Sequence, residues 1–186
     1  MPPLVLHLAL PGWLRDAIDP ERRYAGDEAR VGLAIELARR NVEERSGGPF
    51  GAVVFDAQGR VAGAGVNRVV SQHCSAAHAE MLAIATAQAA LQRARLNAGG
   101  ERFVLASSAQ PCAMCYGATF WAGVDELLIG ARGEDVMALS DFDEGPLPAD
   151  WTGELARRGI AVRRDILRED ACAVFRRYAE LGGHAY

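Results

Sequence analysis

Between Asp27 and Arg45 the apolar side chains Val31, Ala34, Ile35, Ala38 and Val42 recur every three or four residues. That period lines one face of a helix, so a helix is predicted over 27–45. Asp27 stands where a cap is wanted, and Ser46-Gly47-Gly48-Pro49 stops the pattern. The pattern then changes. Residues 50–56 (FGAVVFD) are apolar and rich in β-formers, Asp56-Ala57-Gln58-Gly59 is a turn sequence, and 60–66 (RVAGAGV) returns. Together they predict an antiparallel strand pair. Residues 75–93 are dense in Ala, Leu and Gln, with Ser75 near the cap, which predicts a second long helix.

Asn97-Ala98-Gly99-Gly100 breaks the chain. Beyond it, strands are expected at 102–107, 125–131 and 160–166, and helices at 112–122 and 168–181. Pro111 falls where a first helical turn would begin, and Gly182-Gly183 ends the last helix. The acidic segment 140–151, with Gly and two Pro, reads as a loop. Strands alternating with helices predict an α/β fold, a three-layer α/β/α sandwich around a central five-stranded sheet. The opening hairpin makes that sheet mixed. No internal repeat or linker interrupts residues 1–186, which read as a single domain.

Composition narrows the partners. Half of the residues are hydrophobic and 24% are charged, as in a soluble globular protein. No apolar stretch reaches the roughly 18–20 residues that span a bilayer. The N-terminus, MPPLVLHLALPGWLRD, lacks the basic region of a signal peptide, so a cytoplasmic protein is expected, with no membrane partner. The net charge of −4 lowers the expectation of a nucleic-acid partner. Arg-Arg pairs are scattered and mostly flanked by acids, which suits solvated faces. Without an export signal, disulfides explain the four cysteines poorly. Cys172, in an apolar helix, reads as a small core residue.

The candidate chemistry lies in two short segments. His78-Ala79-Glu80 falls in the helix expected over 75–93, and Pro111-Cys112-Ala113-Met114-Cys115 opens the next. Each is common alone; in this order they make the H-x-E…P-C-x-x-C signature of zinc deaminases. Two thiolates three apart at a helix start point the same way, and His78 supplies a third ligand. Three protein ligands leave the fourth position of a tetrahedral Zn2+ to water, whose pKa the metal lowers to about 7. Glu80 is then placed to carry the proton. A closed structural cage drawing on His73 or Cys74 is the competing reading; a redox dithiol explains neither His78 nor Glu80.

On these residues the chain resembles the cytidine-deaminase-like superfamily and, within it, the bacterial guanine deaminases. The likeness extends to Gly-Gly-Pro-Phe-Gly-Ala (47–52), Asn67-Arg68-Val69-Val70, Cys74–Glu80 and Phe142-Asp143-Glu144-Gly145-Pro146. It implies a purine-base pocket in which Asn67 hydrogen-bonds the base edge, Phe50 packs on its face and Phe142 closes over it. It implies that Glu144 handles a proton at the guanine amino group. On composition alone Phe50 reads equally as a core residue, and Glu144 as a solvated loop carboxylate. The resemblance further implies that a C-terminal segment of about 160–186, through Tyr186, covers the pocket, and that the protein is a homodimer. It departs at Gln110, where the family usually has Glu. The expected reaction is hydrolysis of guanine to xanthine and ammonia. Ammeline-like triazines, cytosine or tRNA adenosine are alternative substrates, and a catalytically silent zinc-stabilised binding protein is the alternative from another class.

Overall fold

The computed structural model describes residues 5–185. Its strands are β1 (Gly51–Asp56), β2 (Val61–Val66), β3 (Phe103–Ala109), β4 (Glu126–Ala131) and β5 (Ala161–Arg163). The helices are α1 (Trp13–Asp16), α2 (Asp27–Glu43), α3 (Val69–Gln72), α4 (Ala79–Leu91), α5 (Ala113–Ala122), α6 (Gly133–Leu139), α7 (Trp151–Arg157) and α8 (Arg168–Glu180). The strands form one sheet in the order β2-β1-β3-β4-β5. β1 runs antiparallel to both β2 and β3, while β3–β4 and β4–β5 are parallel. This is the mixed five-stranded sheet expected from the alternation.

Successive side chains of a strand point to opposite faces, and here the two sets meet different helices. Val53, Phe55, Val104, Ala106 and Leu128 pack with α2 and α8. Ala52, Val54, Phe103, Leu105, Leu127 and Ile129 pack with α4, α5 and α7. The result is three layers with an apolar core on each side of the sheet. Each fully buried Leu, Ile or Phe contributes about 1.5–3 kcal/mol relative to exposure. Glycine sets the spacing on the second face. A Cβ at Gly65 would fall on the Ala79 carbonyl and the Ala83 amide, so its absence lets α4 lie directly against β2.

Several boundaries differ from those expected. α4 begins at Ala79, not near Ser75. Residues 74–77 instead close a turn through Ala77 N–H to the Cys74 carbonyl, and the Arg68 N–H bonds the Ala77 carbonyl. Pro111 lies one residue before the cap of α5, which is Cys112. The edge strand expected over 160–166 pairs only through Ala161–Arg163. It ends early because Asp165 and Leu167 take positive φ angles of 67° and 52° and turn the chain into α8. α1, α3, α6 and α7 were not expected. α7 starts where the Asp150 carboxylate accepts the Gly153 N–H at 3.0 Å. The Arg-Arg pairs do lie on solvated faces, where Arg39, Arg157, Arg158, Arg176 and Arg177 pair with carboxylates. Cys172 is buried among core residues. Residues 1–4 of the N-terminal segment lie outside the described residues.

Candidate active site

Topology brings the chemistry to one edge of the sheet. β1 is reversed relative to β2 and β3, so the start of β1 and the ends of β2 and β3 share that edge. Phe50 precedes β1, Asn67 follows β2, and Gln110–Cys112 follow β3. α4 and α5 start just beyond the same ends. His78 and Cys112 are their N-cap residues, both with extended backbone (ψ 156° and 174°).

His78, Cys112 and Cys115 converge. Their donor atoms all lie within 4.8 Å of one another. The His78 Nδ1 is 3.5 Å from the Cys112 Sγ and 3.6 Å from the Cys115 Sγ. Zinc bonds of about 2.3 Å to sulfur and 2.0–2.1 Å to nitrogen, at a tetrahedral angle, require a sulfur–nitrogen edge of about 3.5 Å. The donor set therefore fits Zn2+, with one position left over. Among the described residues no other group of His, Cys and carboxylate donors converges in this way, and His73 and Cys74 are not part of the cluster. A hydrogen bond from Cys115 pulls the Cys112 thiol down to about 4; burial opposes this and His78 assists it. Cys115 is pushed up by its bond to Cys112 and by burial.

Two carboxylates face this cluster. Glu80 is 5% exposed, in the first turn of α4. Its Oε2 accepts from the Cys115 Sγ at 3.4 Å and its Oε1 from the Ser107 hydroxyl at 3.5 Å. Burial raises its pKa, and the Cys112 charge adds to this while His78 opposes it. Glu144 is 9% exposed, so it is not the solvated loop carboxylate that composition allows. Its carbonyl accepts the Ala113 N–H at 2.9 Å, which ties the 140–146 loop to the start of α5. The loop can turn there because the Asp143 carboxylate accepts the Gly145 N–H and Gly145 takes φ 68°. Burial, then the charges of Glu80 and Cys112, push Glu144 up to about 8.

A cavity of about 410 Å³ opens between these groups. Phe50, Asn67, His78, Glu80, Cys112, Phe142 and Glu144 line it; Cys115 is fully buried beneath. Gln110, Asp141, Asp143 and Ala185 complete the wall. Phe50 both borders the cavity and packs edge-on against Phe142 (5.1 Å between centroids) and the core residue Phe175 (5.3 Å). Asn67 is 2% exposed, and its Oδ1 accepts the Val69 N–H at 3.2 Å. The sequence reading did not single out Ala185, Asp141 or Ser107. Only the fold brings them here, because none belongs to a spaced motif.

The sequence profile of the cytidine and deoxycytidylate deaminase zinc-binding region matches residues 25–131. The chain belongs to that family. The match spans His78, Glu80, Cys112 and Cys115, and the zinc-binding chemistry of this deaminase family agrees with the donor geometry. The guanine deaminase of Bacillus subtilis is 35% identical over 111 residues, 60% of this chain and 67% of its own. The solved guanine deaminase from Nitrosomonas europaea is 47% identical, with a TM-score of 0.90 over 95% of this chain and 97% of its own. A solved asparagine-to-alanine variant in complex with 8-azaguanine is 46% identical, with a TM-score of 0.90 over 95% of this chain and 98% of its own. Among the described residues no helix is long and apolar enough to cross a membrane.

Proposed function

We propose that this family member hydrolyses guanine to xanthine and ammonia. The observation that carries the reading is the single cavity that holds the His78–Cys112–Cys115 cluster, two buried carboxylates and Asn67 together. The solved relative that binds 8-azaguanine, and the guanine deaminases similar to the chain over almost its whole length, support a purine base as the ligand.

His78, Cys112 and Cys115 would hold the zinc, which when bound supplies Lewis acidity and lowers the pKa of a water. The remaining work belongs to the chain. Glu80 takes a proton from the water that adds to C2 and delivers it to the ring nitrogen beside C2. Glu144, a second buried carboxylate lining the cavity, shares with Glu80 the protonation of the departing amine. A C–O bond forms at C2 and the proton delivered to the ring nitrogen stays there in xanthine. The added hydroxyl then gives up its proton to a carboxylate as it becomes the C2 carbonyl, the C–N bond breaks, and the amine takes one proton and leaves as ammonia. The Oδ1 of Asn67 is engaged by Val69, which turns its Nδ2 donor toward an acceptor on the base. Phe50 and Phe142 offer apolar rings to the base face.

The chain is read as one deaminase domain whose C-terminal segment, about 160–186, closes the site. The Tyr178 hydroxyl donates to the His184 carbonyl at 2.9 Å, and Ala185 borders the cavity. Tyr186 lies outside the described residues. The protein is taken to act as a cytoplasmic homodimer on free bases, without a nucleic-acid partner. Exposed Met114 and Trp121 on α5 offer an apolar surface for a second copy. Ammonia release from guanine, ammeline, cytosine and a tRNA transcript tests the substrate. Guanine is expected to give the highest kcat/KM, and turnover of tRNA without turnover of any free base contradicts the proposal.

A further inference from the structure

Asn41 lies at the end of α2, outside the cavity, and is fully buried. Its Nδ2 donates to the Gly48 carbonyl at 2.9 Å and to the Asn67 carbonyl at 3.0 Å. Its Oδ1 accepts the Ser46 hydroxyl at 2.7 Å, and that hydroxyl in turn accepts the Trp13 indole N–H at 3.1 Å. The two carbonyls belong to the segments that present Phe50 and Asn67. Those segments also bond each other through the Asn67 N–H to the Phe50 carbonyl, and the Phe50 N–H closes a turn within its own segment onto the Gly48 carbonyl. Gly47 lets them meet, because a Cβ there would fall on the Asn67 carbonyl and the Asn41 amide.

We infer that Asn41 is a positioning residue for substrate recognition: its amide clamps the Gly48 and Asn67 carbonyls and so fixes where the Asn67 side chain and the Phe50 ring face the base. The inference rests on the guanine reading. The physical reason is that a fully buried amide with three partners has one orientation, set here by Ser46. Removing it takes the amide donor from the Asn67 carbonyl and one of two donors from the Gly48 carbonyl, which keeps the Phe50 N–H, and frees the backbone that carries Asn67.

The test uses the full zinc-loaded chain. Binding of 8-azaguanine is measured for the wild type, Asn41→Ala, Asn67→Ala and the double variant, alongside amide hydrogen exchange of the free proteins. Asn41→Ala is expected to weaken binding about tenfold or more at unchanged zinc content, and the double variant to bind no more weakly than Asn67→Ala. Exchange at the Phe50 and Asn67 amides is expected to accelerate while β3 and β4 stay protected. Additive losses, or unchanged exchange at those two amides, overturn the inference. Should Asn41→Ala not fold, Ser46→Ala removes only the orienting hydroxyl. It is expected to weaken binding about threefold, with the same coupling to Asn67, and additivity again overturns the inference. A wild type that binds no 8-azaguanine defeats the guanine reading, and exchange at the two amides then decides the role of Asn41 alone.

Discussion

The two walls of the cavity are built differently. The metal wall consists of two helix starts, α4 and α5, laid on a sheet whose glycines allow close approach. Its side chains are fixed by regular backbone structure. The facing wall consists of Phe50, Asn67, residues 141–144 and Ala185 of the C-terminal segment, backed by the 46–49 loop. It is held by single hydrogen bonds between side chains and backbone, such as Asn41 to Asn67 and Tyr178 to His184. The difference separates the jobs. Bond-making requires a rigid frame, whereas recognition of one base among several is set by segments that can differ between relatives of one fold.

Perturbing the metal wall should have the largest effects. Cys115→Ser, or removal of zinc by a chelator, is expected to abolish ammonia release, as followed by coupled assay. The one proton-carrying group of the facing wall comes next: Glu144→Gln keeps the shape but loses the transferable proton. Its kcat is expected to fall about a hundredfold or more, with KM little changed. Asn67→Ala should do the reverse, raising KM for guanine about tenfold or more while kcat changes less. Should Asn67→Ala lower kcat and leave KM alone, the division between the walls is wrong.

The smallest effect concerns support of the facing wall from behind. Asp135 on α6 is held down to about 2 by its bonds to Arg168 on α8, against burial, with the Arg132 N–H helping. An unfolded aspartate titrates near 3.9, so the folded group binds fewer protons and stabilises the protein above that pH. The contribution disappears as pH falls through about 2. Arg168 is 38% exposed, so solvent screens the pair and the contribution is small. Asp135→Asn should lower the thermal midpoint at neutral pH, and the difference from the wild type should vanish in acid.

The same contrast decided what the sequence revealed. The metal wall was legible because its residues sit at fixed spacings, with Cys112 and Cys115 three apart and Glu80 two beyond His78. The sheet was legible from β1 and β2, whose short apolar runs are bounded by turn residues. The register at His78 was not. Helix formers run through 75–93, but the 74–77 turn makes His78 the cap, exposed to the cluster, instead of an interior helical residue. α7 was hidden because Gly153 and the flanking Pro-rich segment outweigh propensity, and only the Asp150 cap and packing of Leu155 hold it. Asn41 gave no signal at all. The two acceptors of its Nδ2 are 7 and 26 residues away, and both are backbone carbonyls.

The central claim is that, within the metal wall, holding the metal and taking the water's proton belong to different residues. It is tested most directly by measuring zinc content and guanine turnover on the same preparation of Glu80→Ala. The account predicts one zinc per chain, as in the wild type, with loss of the ultraviolet conversion of guanine to xanthine. Full activity with stoichiometric zinc would contradict it.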